Sequence, residues 1–76
     1  MATEDYYAER AKRLFRTEMV RRGITYEMLS ERLGALGQPD TPVNLRNKVS
    51  RGRFTAAFLL AACEAMGAET IRLAAD

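Results

Sequence analysis

The sequence contains no histidine, and its single cysteine is Cys63. Without a second cysteine no disulfide can form within the chain, so the core has to come from side-chain packing, as is usual in a reducing cytoplasm. With no histidine and with Cys63 inside an apolar segment, the chain offers neither a nucleophile–base pair nor a cluster of zinc ligands. We therefore expect a cytoplasmic protein that is not an enzyme and needs no cofactor.

Long apolar runs and a strong net charge are also missing. The longest mainly apolar stretch, residues 54–63, is too short to cross a bilayer, so we expect no membrane span. The formal net charge is only +2, which by itself indicates no partner. However, residues 41–63 contain no acid, while four cations lie within residues 46–53. The nearly balanced total therefore conceals a local basic patch.

The composition, 47% hydrophobic and 29% charged, lies in the globular range, and 76 residues are enough for one small domain over residues 1–76. Apolar residues recur at three- and four-residue steps, which is typical of helices with one buried face. The predicted helices cover approximately residues 5–22, 26–36, 42–50 and 56–66. The pattern predicts an all-α, compact four-helix domain built around a helix-turn-helix.

Local signals support these boundaries. Thr25, Thr41 and Thr55 are suited to cap the second, third and fourth helices, and Pro42 fits the first position of the third. The second helix is predicted to bury a stripe of Met28, Leu29, Leu33 and Leu36. The fourth is apolar nearly all round, which predicts burial on most sides. The tail 69–73 alternates polar and apolar residues and leaves a short strand as an open alternative.

The outward face of the third helix carries the chemistry of a reader of the DNA major groove. Asn can bond to adenine N6 and N7, Arg to guanine O6 and N7, and a Val methyl can contact the thymine methyl. The plainer interpretation is a polar surface, but Asn is a poor helix-interior residue. We predict base contacts from Thr41, Val43, Asn44, Asn47 and Arg51, and phosphate contacts from Arg46, Lys48, Arg53 and Arg22.

Three segments carry a family resemblance. Residues 20–34 (VRRGITYEMLSERLG), 44–52 (NLRNKVSRG) and 64–67 (EAMG) resemble the lambda-repressor-like, Xre-type helix-turn-helix domains. They also resemble a set of short bacterial proteins known only as a domain of unknown function. The likeness covers approximately residues 10–67. It implies that the helix beginning at Thr41 is the recognition helix, with Thr41, Val43, Asn44, Asn47 and Lys48 at base- and phosphate-facing positions.

The sequence departs from that family in two places. Residues 35–40 make a longer turn than is usual before the recognition helix. Many family members also pair an arginine of the first helix with a glutamate near the end of the recognition helix, and the corresponding positions here are Met19 and Ser50. Because both partners are replaced together, no buried charge is left alone.

These observations lead to two functions of different classes. The first is a sequence-specific double-stranded DNA-binding protein, a small bacterial or phage transcriptional regulator. The alternative is a phage- or plasmid-type adaptor that uses the same fold to bind an acidic protein. RNA binding ranks third, because the aromatic residues fall mostly on core faces and offer no stacking platform.

A homodimer is expected with the DNA-binding function. One recognition helix reads few base pairs, and two helices about 34 Å apart would read two half-sites. The fourth helix together with Ile71 and Leu73 of the tail is the candidate seam between two chains. The alternative for the tail is a lid over the fourth helix of its own chain.

Overall fold

Threonine hydroxyls mark where every helix of the structure begins. The structure is a computed structural model that describes residues 3–73. Within that range it has the helices α1 (Glu4–Arg22), α2 (Tyr26–Ala35), α3 (Pro42–Arg51) and α4 (Ala56–Met66). The all-α, four-helix prediction is therefore confirmed, and each helix begins and ends within one residue of its predicted bounds. Among these helices none combines the length and apolar character needed to cross a membrane.

The four caps share one geometry. The Oγ1 atoms of Thr3, Thr25, Thr41 and Thr55 each accept a hydrogen bond from the backbone N–H three residues later, at 3.0–3.3 Å. Each such bond satisfies an amide that would otherwise lack an intrahelical partner, and is worth about 1 kcal/mol. In α3 the proline at the first position, Pro42, adds a preset helical φ. Short-range interactions thus fix the start of each helix.

The core lies between the inward faces of the helices. Its largest fully buried side chains are Phe15 of α1, Leu29 and Leu33 of α2, and Leu45 and Val49 of α3. The ring of Phe15 lies 5.5 Å from that of Phe54 and 5.8 Å from that of Phe58, which joins α1 to the beginning of α4. Burial of each such side chain contributes about 1.5–3 kcal/mol.

α4 is less covered than its apolar sequence predicts. Ala62, Ala65 and Met66 are buried, but Leu60 keeps 71% of its surface exposed. The prediction that this helix is buried on most sides is wrong, because α4 packs chiefly against α2 and leaves one flank open. Met28 and Leu36, predicted as part of the buried stripe of α2, are also exposed, at 36% and 42%.

The open flank of α4 forms one wall of a shallow groove, here called the α2–α4 groove. Leu36, Pro39, Leu60 and Ala61 supply its apolar lining, and Glu64 is also part of it. Leu36 and Leu60 are its exposed large apolar side chains. The groove therefore offers apolar surface that no segment of the described chain covers.

The tail after α4 lies back on its own chain. Ile71 is half-buried and, with Leu73, lines a pocket whose other walls are Tyr7, Leu14 and Leu59. Arg10 of α1 donates a hydrogen bond from Nη2 to the carbonyl oxygen of Leu73 at 2.9 Å. Residues 69–73 form no strand in this chain, and the segment covers the α1 and α4 surfaces as an irregular strap.

Candidate nucleic-acid interface

α3 is fixed in the fold by its inward face. The side chains of Leu45 and Val49 are completely buried, and Pro42 is half-buried. These residues follow the three- and four-residue steps of a helix, so they turn the opposite face of α3 outward. An element held in this way presents its outer side chains on a rigid support, which any specific recognition surface needs.

The end of α3 is held by a close backbone approach. Gly52 is buried and has φ +67°, and a Cβ atom built at this position would lie 2.0 Å from the carbonyl oxygen of Ala8 in α1. Only glycine meets both conditions, because other residues rarely adopt this conformation and their side chains would overlap α1. The Arg51–Gly52 step thus sets how closely α3 approaches α1.

The five residues predicted to contact bases are all exposed: Thr41, Val43, Asn44, Asn47 and Arg51. Val43, Asn47 and Arg51 are spaced four residues apart, so they form one open stripe along α3, and Val43 keeps 60% of its surface exposed. Thr41 has a structural task at the same time, because its Oγ1 accepts from the amide of Asn44 at 3.1 Å.

Arg46 lies on one flank of this stripe. Its guanidinium carbon is 5.3 Å from the ring centre of Tyr26, the first residue of α2. Such a cation–π contact orients the side chain without neutralising its charge. Among the described residues Arg46 and Arg51 have no carboxylate partner, so both present a full positive charge to solvent. The sequence did not indicate the contact with Tyr26.

Lys48, on the other flank, is already paired. Its Nζ lies 2.5 Å from Oδ2 of Asp40 and 4.9 Å from the ring centre of Phe58. The hydrogen bond from Lys48 lowers the pKa of the Asp40 carboxyl, and burial opposes this shift. The charge of Lys48, a hydrogen bond with the Asn44 side chain and one with the Thr41 backbone lower the pKa further. Asp40 was not predicted as part of the site, because it lies in the turn and its partner Lys48 lies eight residues later in α3.

Arg53 is paired as well, in this case with the beginning of α1. Its guanidinium contacts the carboxylate of Asp5 and lies 3.5 Å from that of Glu4. The hydrogen bond with Asp5 raises the pKa of Arg53. All three side chains are largely exposed, so the pair contributes little to stability, but it does reduce the charge that Arg53 offers to a phosphate.

Arg22 lies apart from the α3 surface. Its Nε is 3.2 Å from Oε1 of Glu18, and its Nη1 donates to the carbonyl oxygen of Gly67 at the end of α4. Glu18 is only 3% exposed and also pairs with Arg21 at 3.5 Å. Arg22 therefore compensates a buried carboxylate. The sequence did not indicate this pair, because the family pattern placed the charged residue of this helix at the position of Met19.

Groups suited to metal binding are not assembled in the described part of the chain. Residues 3–73 contain no group of three or more His, Cys, Asp or Glu side chains placed to hold a metal ion. Cys63 is half-buried in α4, and burial raises the pKa of its thiol, which disfavours the nucleophilic thiolate.

The fold and this surface define a small all-α domain that presents one helix, α3, with a polar and basic outer face. Residues 7–71 match DUF6471, a domain of unknown function, and the chain belongs to this family. Searches of the curated proteins and of the solved structures found no match. The likeness to lambda-repressor-like domains stays a prediction from the sequence.

Proposed function

We propose that this protein binds double-stranded DNA in a sequence-specific manner and acts as a small cytoplasmic transcriptional regulator, without catalysis and without a cofactor. In this proposal α3 enters the major groove and α2 lies behind it, as in helix-turn-helix proteins. The observation that carries the proposal is the exposed stripe of Val43, Asn47 and Arg51, which stands on the buried residues Leu45 and Val49.

The stripe combines the three kinds of contact that read base edges. The amide of Asn47 has the donor and acceptor that adenine N7 and N6 require, and the guanidinium of Arg51 matches guanine O6 and N7. The exposed methyl groups of Val43 suit the thymine methyl. Arg46 on the flank is oriented by Tyr26 and keeps its charge, so it is the best placed cation for a phosphate contact.

The direct test removes the amide of Asn47. A preferred duplex is first selected from a random library with the full chain, and binding is then measured by fluorescence anisotropy on that duplex and on a scrambled one. Asn47→Ala is expected to weaken binding to the preferred duplex by about 1–3 kcal/mol, because one bidentate base contact is lost. Binding to the scrambled duplex is expected to stay within about twofold.

Gln38→Ala is the matched control, since it removes an exposed amide from the turn before α3 and not from its outer face. Its affinity for both duplexes should equal that of the wild type. An equal loss by Asn47→Ala on both duplexes would contradict base reading.

An adaptor that binds an acidic protein is the second candidate. One observation favours a protein partner over DNA: the α2–α4 groove exposes Leu36 and Leu60. The pairing of Lys48 and Arg53 with carboxylates weakens an acidic partner as much as it weakens DNA. The two functions differ in salt dependence. For DNA, the slope of log K against log salt should be about −0.9 per phosphate contact. The affinity of an apolar groove for a protein should depend only weakly on salt.

The proposal includes a homodimer, which would bring two copies of α3 to two half-sites. The exposed Leu60 of α4 and the exposed Leu73 of the tail are the apolar side chains that support it, at 71% and 70% exposure. Ile71 is engaged with its own chain, which favours the lid role of the tail and makes α4 the better candidate for the seam.

A further inference from the structure

One carboxylate stands at the beginning of the proposed recognition helix. Oδ1 of Asp40 accepts a hydrogen bond from the amide of Thr41 at 3.1 Å, and Oδ2 pairs with Nζ of Lys48 at 2.5 Å. The carbonyl oxygen of Asp40 accepts from the hydroxyl of Ser30 in α2 at 2.6 Å. The residue therefore joins α2, the turn and α3 through three separate bonds.

The position of this carboxylate is well defined. Its side chain is only 12% exposed, while that of Lys48 is 44% exposed. The bond from Ser30 holds the backbone of Asp40 irrespective of the charge on its side chain. The carboxylate is therefore a fixed negative charge, and Lys48 is the more accessible member of the pair.

This charge changes what the beginning of α3 offers to DNA. The amides in the first turn of a helix ordinarily attract an anion such as a phosphate. Here the amide of Thr41 is taken by Asp40, that of Asn44 by the hydroxyl of Thr41, and Lys48 is paired. A DNA phosphate at this end would meet a carboxylate and would have to compete with it for Lys48.

We propose that Asp40 is a specificity-determining residue, which neutralises the N-terminal end of α3 so that phosphate contacts there add little to binding. Discrimination then depends on the open stripe of Val43, Asn47 and Arg51. This inference rests on the proposed DNA-binding function. It differs from a purely structural role for Asp40, because it predicts that loss of the carboxylate strengthens binding to unselected DNA.

The test measures the affinity of the full chain for a scrambled duplex over a range of salt concentrations. Asp40→Asn keeps an acceptor for the amide of Thr41 and the backbone bond to Ser30, so it should fold. It is expected to bind the scrambled duplex roughly 5–10-fold more tightly at 0.1 M salt, with a slope of log K against log salt steeper by about 0.9, since Lys48 gains one phosphate. The gain on the preferred duplex is expected to be smaller, because base contacts fix the register of α3.

Two further variants identify the cause. Glu69→Gln changes the net charge by the same amount in the tail, beyond α4. It should leave the affinity within twofold of the wild type and the slope of log K against log salt unchanged. In a Lys48→Gln background, Asp40→Asn should give a smaller gain and no change in the salt slope, because the carboxylate charge is removed but the cation that it would release is gone. This pattern supports the inference.

Four results would overturn it. Weaker binding by Asp40→Asn would mean that the carboxylate only supports α3, and equal gains by Asp40→Asn and Glu69→Gln would mean that net charge alone acts. If the wild type binds the selected duplex and Asp40→Asn changes nothing, the inference fails while the proposed function stands. If neither the wild type nor any variant binds DNA, both fail together.

Discussion

At the scale of single residues, Gly52 determines how closely the end of α3 packs against α1. Two properties coincide there: a left-handed backbone with φ +67° and a backbone contact with Ala8 that leaves no room for a Cβ atom. Gly67 at the end of α4 has φ +75° as well, but a Cβ atom added to it would have no neighbour within 4 Å. A comparison of substitutions at the two glycines therefore distinguishes the cost of the backbone conformation from the cost of steric overlap.

We predict that Gly52→Ala destabilises the protein much more than Gly67→Ala. The left-handed conformation alone costs an alanine about 1–2 kcal/mol, which is the whole effect expected at Gly67. At Gly52 the overlap with Ala8 adds about 1–3 kcal/mol, and α3 has to move away from α1 to relieve it. Urea denaturation, monitored by circular dichroism, measures the loss of unfolding free energy for each variant. Equal losses for the two variants would mean that the contact with Ala8 relaxes without cost.

Glu18 shows at the same scale how a buried charge is accommodated. Its carboxylate is 3% exposed and has two arginine partners, of which Arg22 is the closer. Arg22 also bonds to the carbonyl oxygen of Gly67, so the group links the end of α1 with the end of α4. Removal of one partner from a buried pair usually costs more than the pair contributes. Arg22 therefore belongs to the support of the fold.

At the scale of elements, the starts of the helices could be predicted, but how far α2 and α4 are covered by their neighbours could not. A threonine cap involves residues three positions apart, so Thr25, Thr41 and Thr55 gave three starts that the structure confirms. The exposure of Leu36 and Leu60 depends on which elements cover them, and a helical wheel contains no such information.

The candidate site divides in the same way. The exposure of the predicted base-contacting residues on α3 follows from helical periodicity, because Leu45 and Val49 fix the inward direction. The partners of Lys48 and Arg53 do not follow from it. Asp40 lies across a turn and Asp5 lies in another helix, 48 residues away, so only the folded arrangement brings the charges together.

The tail is an element whose contribution can be measured directly. Ile71 is half-buried against Leu14 and Leu59, whereas Leu73 in the same segment is 70% exposed. Ile71→Ala is expected to reduce the free energy of unfolding by about 1 kcal/mol, less than for a fully buried isoleucine, because only part of the side chain leaves a packed site. Leu73→Ala is the control and should cost less than about 0.5 kcal/mol. Equal effects would indicate that the tail does not pack as a strap.

At the scale of the whole molecule, the question is how so small a domain covers its apolar surface. The described chain has a radius of gyration of 12.0 Å, close to the value of about 11 Å typical of a folded domain of this length. It still exposes large apolar side chains on two sides of α4: Leu36 and Leu60 in the α2–α4 groove, and Leu73 on the tail. Contiguous exposed apolar surface commonly marks an interface.

We predict that two chains associate through one of these surfaces. In sedimentation equilibrium at tens of micromolar the wild type should have the mass of two chains. A charge placed in the seam should reduce this to the mass of one chain, because burial of an unpaired carboxylate is strongly unfavourable. Leu60→Glu is expected to do so if α4 forms the seam, and Leu73→Glu if the tail does. Val20→Glu is the control, since Val20 is 81% exposed on α1, away from both surfaces. A wild type that stays monomeric at this concentration and with a selected duplex present would contradict the dimer, and recognition would then depend on a single α3.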